Sequence, residues 1–237
     1  MVNYQGTFER YEKKYLLNPV QYELIKSRMR TWMEPDEYPE GTICNIYYDT
    51  PDRRLIRRSL EKPIYKEKLR LRSYGVPDGD SPVFIELKKK YQGIVYKRRV
   101  DSTLDFAVNY LECRGEVDRE SQVFKEIDWF LAFYENVVPS MYIAYHRLAW
   151  RGKEDTELRM TFDDQIVWRE DQLDLTVGIW GNDLLNAGEH LMEVKIPGAM
   201  PLWMSNAFDE AGICPVSLSK YGKGYQETLK EGDRHYA

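Results

Sequence analysis

The chain has 237 residues, 43% of them hydrophobic and 31% charged, where an average soluble protein has roughly 25% charged residues. This supports a packed core, and we expect residues 1–237 to form a single domain. The net charge of −5 argues against general binding to nucleic acids.

Cysteines, histidines and apolar runs exclude several other classes. Cys44, Cys113 and Cys214 are widely spaced and form no CxxC motif, which predicts reduced thiols. The three histidines have no zinc-binding spacing. No apolar run follows Met1, and no stretch is apolar and long enough to cross a bilayer. We therefore expect a cytoplasmic protein without a membrane segment in this chain.

The predicted elements are strands and helices spread over the whole chain. In order they are strand 7–16, helix 19–32, strands 43–48, 64–73, 83–90 and 93–100, helices 104–111 and 123–134, strands 141–150, 157–163, 165–169 and 190–196, and helices 201–211 and 219–229. The short loops between the strands at 64–100 indicate antiparallel pairing. The sequence thus predicts an α+β fold with about eight strands and helices packed outside.

Many predicted strands alternate charged and apolar residues. In Lys68-Leu69-Arg70-Leu71-Arg72, three cations share one face, because side chains alternate between the two faces of a strand. Related patterns occur at residues 10–14, 86–88, 97–99, 159–163 and 193–195. Six such segments, each with at least one cation, predict a sheet closed on itself around a strongly anionic ligand.

The basic residues of these segments, together with Arg147, Lys220 and Lys223, are the candidate phosphate contacts. Arginine is frequent among them, and its planar fork suits phosphate. Arg70 and Arg72 repel each other unless an anion or water lies between them. The set is Arg10, Lys14, Lys68, Arg70, Arg72, Lys88, Lys97, Arg99, Arg147, Arg159, Lys195, Lys220 and Lys223. The alternative is an ordinary solvated face of an open sheet.

Four acidic residues lie on the same predicted faces. Carboxylates are unfavourable beside phosphate unless they hold a divalent cation or orient the lysines. Mg²⁺ and Mn²⁺ take one or two carboxylates and complete their shell with phosphate oxygens and water. Glu193 is the first candidate ligand, supported by Glu12, Glu86 and Asp163. The alternative role for these acids is pairing with lysine.

Common motifs for other chemistries are missing from the sequence. The sequence has no GxxxxGK[ST] loop, which excludes a P-loop nucleotide site. It has no GxSxG elbow or other supported covalent-nucleophile motif.

The ordered set of motifs resembles the VTC domain of polyphosphate polymerases, within the CYTH-like triphosphate tunnel metalloenzymes. The matching segments are residues 10–15, 47–50, 68–72, 86–88, 97–99, 145–147, 159–163, 193–195 and 217–221. Each motif alone is weak, but together they cover nearly the whole chain in the family's order.

The resemblance implies an antiparallel barrel of about eight strands whose bore holds a linear triphosphate or polyphosphate. It also implies a divalent metal, Mn²⁺ or Mg²⁺, at Glu193. The implied catalytic set is Lys14, Arg70, Arg72, Arg147, Arg159 and Glu193. Eukaryotic members carry a further regulatory domain and a membrane anchor, and neither pattern occurs in this sequence.

The main functional hypothesis is transfer of the γ-phosphoryl group of ATP, or of another triphosphate, to a growing inorganic polyphosphate. Such transfer depends on positioning and charge neutralisation more than on covalent help from the protein. Two alternatives stay open. One is hydrolysis of tripolyphosphate or a nucleoside triphosphate in the same tunnel, and the other is a non-catalytic module that binds polyphosphate or inositol phosphates.

Overall fold

The computed structural model of the protein describes residues 11–92, 94–113, 115 and 121–235. The strands are β1 (Tyr11–Leu17), β2 (Met33–Asp49), β3 (Tyr65–Tyr74), β4 (Pro82–Tyr91), β5 (Ile94–Thr103), β6 (Val138–Gly152), β7 (Arg159–Arg169), β8 (Asn182–Asp183) and β9 (His190–Ile196). The helices are α1 (Pro19–Met29), α2 (Arg54–Leu60), α3 (Leu104–Cys113), α4 (Gln122–Tyr134), α5 (Leu202–Glu210) and α6 (Lys220–His235).

The strands form one large sheet with the hydrogen-bonded order β1-β9-β7-β6-β2-β3-β4-β5, and β8 pairs with β7. The pairs β1–β9, β2–β3, β3–β4, β4–β5 and β7–β9 are antiparallel. These features confirm the α+β class and the large antiparallel sheet that the sequence predicts. Over the described residues the order is an open path from β1 to β5. Closure into a barrel therefore stays a prediction.

Four elements differ from the sequence prediction, and one of them is β8, which the sequence did not predict. Strand β2 has 17 residues instead of the six predicted at 43–48. Its first half is mostly exposed and has no hydrophobic alternation, so the side chains do not reveal that the backbone is extended. The strands predicted at 157–163 and 165–169 are one strand, β7, with a positive φ of 46° at Gln165. Helix α2 follows Asp49-Thr50-Pro51-Asp52, a segment whose sequence predicts only a turn or the start of a short helix.

The chain divides into two compact units, and strands β2, β6 and β7 contribute residues to both. Unit 1 contains the described residues up to 41, together with 145–166 and 185–218. Unit 2 contains the described residues within 42–144, together with 167–184 and those from 219 onwards.

In unit 1, one face of the strands packs on helices α1 and α5. The core includes Tyr15 of β1 and Val194 of β9, together with Ile25 of α1 and Phe208 of α5. Helix α1 begins at Pro19, as its sequence predicts. Asn18 before it and Gln21 after it form a reciprocal capping box. The opposite face of these strands is left for the charged residues.

In unit 2, one face of β3 and β4 packs on helices α3 and α4. Leu69 and Leu87 are fully buried there, in a cluster with Ala107 of α3 and Phe130 of α4. Because Leu69 alternates with Lys68 and Arg70, the same packing places those cations on the other face. Within the described chain, none of the helices is both long and apolar enough to cross a lipid bilayer.

Candidate functional site

The cations of unit 2 lie on one face of the neighbouring strands β3, β4 and β5. In one row across the strands, Arg70 is opposite Glu86, which is opposite Arg99. In the next row, Lys68 is opposite Lys88, which is opposite Lys97. The structure therefore brings together the predicted phosphate contacts Lys68, Arg70, Arg72, Lys88, Lys97 and Arg99. We call this set the unit 2 basic face.

Glu86 lies at the centre of the unit 2 basic face. Its carboxylate, 1% exposed, is 2.6 Å from Nη2 of Arg70 and 2.5 Å from Nζ of Lys97. The Nε atoms of Arg72 and Arg99 lie 3.8 and 3.9 Å away. Burial alone would raise the pKa of Glu86, but the neighbouring cations lower it to about 2. One buried carboxylate thus organises four cations.

Neutral groups hold the two arginines from the side of β2. Arg70 donates from Nη1 to the hydroxyl of Tyr47 at 3.2 Å, and Arg72 donates from Nε to Oδ1 of Asn45 at 2.9 Å. Asn45 is fully buried and donates in turn to the carbonyl of Ile143 at 3.0 Å. These bonds fix the guanidinium groups without neutralising their charge, so the arginines keep the capacity to bind phosphate.

Helix α6 carries two further predicted phosphate contacts, and its start lies beside the unit 2 basic face. Lys68 donates to Oγ of Ser219 at 2.7 Å, directly before α6 begins at Lys220. Lys220 is buried, and Lys223 follows about one turn later on the helix. The start of α6 is thereby joined to β3, and both predicted lysines belong to this part of unit 2.

Sequence reasoning did not assign a role to Asp49 or Tyr221, which anchor α6. Tyr221 donates to Oδ2 of Asp49 at 2.8 Å, and its ring stacks on Tyr47 with centroids 4.6 Å apart. Asp49 is fully buried and also accepts from the backbone N–H groups of Leu55 and Ile56. Their presence in the motifs at 47–50 and 217–221 was the only signal for these two residues.

In unit 1, Arg147 and Asp163 form a two-point ion pair. Nε and Nη2 of Arg147 lie 2.5 and 2.7 Å from the two carboxylate oxygens of Asp163, which is 0% exposed. Burial would lower the pKa of Arg147, but Tyr145 and Asp163 raise it well above its usual value. Arg147 is therefore a fixed, permanent cation.

Strands β1, β9 and β7 hold the other predicted residues of unit 1. Lys14 is opposite Glu193, and the two side chains are 3.5 Å apart from Nζ to Oε2. One row further, Glu12 is opposite Lys195, which is opposite Arg159. Acidic and basic residues are mixed over this unit 1 face, which consists of Glu12, Lys14, Arg147, Arg159, Asp163, Glu193 and Lys195. The predicted contact Arg10 lies outside the described residues.

The acidic residues differ in how well they suit a divalent cation. The described residues contain no group of three or more His, Cys, Asp or Glu side chains placed to hold a metal. A Mg²⁺ or Mn²⁺ ion that shares its shell with phosphate needs only one or two carboxylates, and Glu193, which is 15% exposed and 3.5 Å from Nζ of Lys14, is the acid of this face proposed for that role. Glu86 and Asp163 are already bound by arginine or lysine, so metal binding by these two stays a prediction.

Comparison with known families identifies the chain. The family model of the VTC domain matches residues 9–229. The chain therefore belongs to the VTC domain family, as its sequence motifs predicted. No curated protein matches the chain.

Solved structures share the fold at low sequence identity. A candidate adenylate cyclase from Bacillus halodurans is 14% identical with a TM-score of 0.53, over 88% of this chain and 92% of that one. A candidate adenylate cyclase from Vibrio parahaemolyticus is 15% identical with a TM-score of 0.51, over 95% and 99%. A candidate adenylyl cyclase from Hippeastrum, described as having a dominant triphosphatase activity, is 14% identical with a TM-score of 0.50, over 89% and 92%. At this identity the likeness establishes the fold alone.

Proposed function

We propose that the protein is a metal-dependent phosphotransferase that polymerises the γ-phosphate of ATP into inorganic polyphosphate. The observation that carries the proposal is that many cations lie on one face of neighbouring strands, in a chain of the VTC domain family. In the complete proposal the sheet closes around the phosphates, and residues 1–237 act as one domain. ATP and polyphosphate are the proposed partners, and nucleic acid is not one.

Arginines supply the charge that phosphoryl transfer requires. Arg70 and Arg72 are held by Tyr47 and Asn45, and Arg147 is held by Asp163, so their positions are set before substrate binds. Fixed donors stabilise the charge on the transferred group without reorganising during the reaction. The attacking oxygen belongs to a phosphate and is already anionic, so the reaction needs no strong general base.

Lysines and carboxylates complete the proposed site. Lys14, Lys88, Lys97 and Lys195 neutralise the remaining phosphate charge, and Lys220 and Lys223 bind at an opening of the site. Glu193, with Glu12 near it, would hold Mn²⁺ or Mg²⁺, which polarises phosphate oxygens and neutralises charge when bound. The carboxylate of Glu86 holds Arg70 through one oxygen and Lys97 through the other.

Triphosphate hydrolysis is the second candidate, because a protein of the same fold is described as having a dominant triphosphatase activity. The same cations and metal would serve, with water as the nucleophile in place of a phosphate oxygen. The two activities differ in their products, which are a polymer in one case and free phosphate in the other.

One reaction decides between these activities. The purified protein is incubated with ATP and Mn²⁺, and acid-stable polymer and free phosphate are measured together. We expect polymer to accumulate and Arg70→Gln to lower its rate on the order of 100-fold, since a preorganised donor to the transition state is lost. Arg98→Gln is the matched control, because Arg98 points to Glu126 on the opposite sheet face. Free phosphate without polymer supports hydrolysis, and neither product with any metal refutes both candidates.

A further inference from the structure

The unit 2 basic face continues past Lys68 and Lys88 toward the start of β3 and the end of β4. Lys66 and Lys90 are directly opposite each other in this strand pair. They lie on the same face as the row of Lys68 and Lys88, because side chains alternate between the two faces of a strand. Lys62 precedes β3 and lies close enough for its charge to act on Lys66. We call Lys62, Lys66 and Lys90 the lysine extension.

Local contacts fix Lys66 at this end of unit 2. It donates from Nζ to the carbonyl of Ser59 in α2 at 3.2 Å, so its ammonium group has a set position. The acid next to it on β3, Glu67, points to the opposite face of the sheet, where Tyr134 of α4 donates to it at 2.8 Å. The alternation of β3 thus leaves lysine on one face and the carboxylate on the other.

Positive charge accumulates in the lysine extension without a carboxylate to balance it. Burial lowers the pKa of Lys66, and the charges of Lys90 and Lys62 lower it further, so these ammonium groups lie close together. Among the residues that the structure describes, none of the carboxylates forms an ion pair with the lysine extension. Like charges directly opposite each other destabilise a sheet, and a bound anion removes the repulsion. The arrangement therefore suits an anionic ligand.

The basic face with its lysine extension is longer than a triphosphate. A strand rises about 3.4 Å per residue, so successive side chains on one face are about 7 Å apart, and Lys66 lies about 20 Å from Arg72. The outer phosphorus atoms of a triphosphate are joined by two P–O–P linkages, a length comparable to one such step. A triphosphate held by Arg70 and Arg72 therefore ends before the row of Lys66 and Lys90.

We propose that the lysine extension binds those phosphates of a linear polyphosphate that lie beyond a triphosphate held by Arg70 and Arg72. Continuity with the unit 2 basic face selects this ligand, because a linear polyphosphate carries negative charge on every phosphate and lysine binds phosphate as a point charge. The inference rests on the proposed function and adds a preference for long chains to it. An enzyme that only hydrolyses triphosphates gains nothing from lysines at this distance, so the lysine extension favours polymerisation.

Calorimetric titration with phosphate chains of two lengths tests the lysine extension. The ligands are inorganic tripolyphosphate and a linear polyphosphate several times as long, at an ionic strength of about 0.15 M, where charges more than about 8 Å apart are largely screened. Lys66→Gln/Lys90→Gln should weaken binding of the long chain about tenfold or more, because contacts between lysine and phosphate are lost. It should leave the affinity for tripolyphosphate unchanged.

A charge-matched variant and a melting temperature serve as controls. Lys89→Gln/Lys230→Gln removes the same charge outside the basic face, because Lys89 pairs with Glu126 of α4 and Lys230 is an exposed residue of α6. This variant should bind both chains like the unmodified protein. Lys66→Gln/Lys90→Gln should not melt at a lower temperature than the unmodified protein, since it removes a repulsive pair.

Three results would overturn the proposal. The first is a long-chain affinity of Lys66→Gln/Lys90→Gln equal to that of the charge-matched variant. The second is an equal loss of affinity for both chain lengths, which would place these lysines at the triphosphate itself. The third is displacement of the long chain by a single-stranded oligonucleotide of similar charge, which would show a general site for polyanions.

Binding and turnover are measured separately, so the two proposals fail in different ways. Binding that does not depend on the lysine extension, in a protein that makes polymer from ATP, rejects the lysine extension alone. Long-chain binding that depends on these lysines, in a protein that neither makes polymer nor hydrolyses ATP, rejects the proposed function alone.

Discussion

Glu86 shows how a single carboxylate organises the site at the scale of one residue. A buried acid with four cations around it is strongly favoured in its ionised form, which is why its pKa falls to about 2 in spite of burial. The same carboxylate limits the repulsion between Arg70 and Arg72 before any phosphate binds. It therefore allows a strongly basic face to fold.

Replacing Glu86 by glutamine should destabilise the protein and change its response to acid. The pKa of Glu86 is depressed in the folded state, so its contribution is present above its ordinary value of 4.5 and is lost as the pH falls toward about 2. Removing one partner of a buried ion pair costs about 3–5 kcal/mol. Urea unfolding from pH 7 to pH 2.5 should show a lower free energy of unfolding for Glu86→Gln at neutral pH, and a smaller loss in acid. Equal pH dependence in both proteins would contradict the assigned role.

His146 predicts the opposite pH dependence in unit 1. Its ring nitrogens lie 2.9 Å from carboxylate oxygens of Asp164 and Glu40. Burial would lower the pKa of His146, but these two hydrogen bonds raise it above 6.5. The stabilisation is thus complete below the ordinary pKa and is lost as the pH rises through the higher folded value.

The histidine contribution can be measured as a melting temperature at two pH values. We expect the melting temperature of the unmodified protein to fall between pH 6 and pH 9 by more than that of His146→Gln. Lys125→Gln, on the exposed side of α4, serves as a neutral control. A pH profile that His146→Gln leaves unchanged would show that the imidazolium is not a stabilising group.

At the scale of elements, a buried hydrogen bond between Tyr221 and Asp49 helps to position α6. Asp49 binds the first turn of α2 and the hydroxyl of Tyr221 at the same time, so it joins α2 and α6 to the end of β2. Tyr221 in turn stacks on Tyr47, which accepts from Arg70. Burial and Asp49 raise the pKa of Tyr221, so the hydroxyl stays a donor at neutral pH.

Tyr221→Phe should therefore weaken phosphate binding through a displaced helix. Leaving Asp49 short of one donor costs about 1–3 kcal/mol, and Lys220 loses its fixed place next to Tyr221. We expect the KM for ATP to rise several-fold with a smaller change in kcat. Tyr225→Phe, one turn further along α6, is the control. Equal KM values in the two variants would leave no positioning role for Tyr221.

The sequence predicted best those strands whose side chains alternate. Strand β9 was placed at residues 190–196 and β3 at 64–73, because charged and apolar residues with a period of two mark the two faces of a strand. The first half of β2 gave no such signal, since it is mostly exposed on both faces. Strand β8, only two residues long, is too short to have a pattern.

The site was predictable as a set of charges but not as a set of pairs. The alternation of charged and apolar residues around Arg70, Glu86 and Lys97 predicted that each side chain lies on the charged face of its strand. Which residues stand opposite each other depends on strand register, which one sequence does not specify. Glu86 was accordingly expected either as a supporting metal ligand or as a partner of lysine, and its contact with four cations became visible only with the register.

For the whole molecule, removal of divalent metal should abolish turnover while leaving the fold intact. The buried carboxylates of the structure are paired with arginine and lysine side chains. Chelation of the metal by EDTA should therefore not change the melting temperature. Glu193→Gln should raise the Mn²⁺ concentration needed for half-maximal activity by about tenfold or more, because the loss of a ligand weakens metal binding. Glu154→Gln, at an exposed acid that follows β6 and lies outside the charged faces, is the control. Activity that is unaffected by EDTA would contradict the metal assignment.

The most direct test of the central claim compares two neighbouring lysines on opposite faces of one strand. Lys88 belongs to the unit 2 basic face, whereas Lys89 points to Glu126 of α4. Calorimetric titration with tripolyphosphate should show that Lys88→Gln weakens binding about tenfold, while Lys89→Gln binds like the unmodified protein. Equal affinities in the two variants, or no binding by the unmodified protein, would contradict the claim that this face of the sheet recognises phosphate chains.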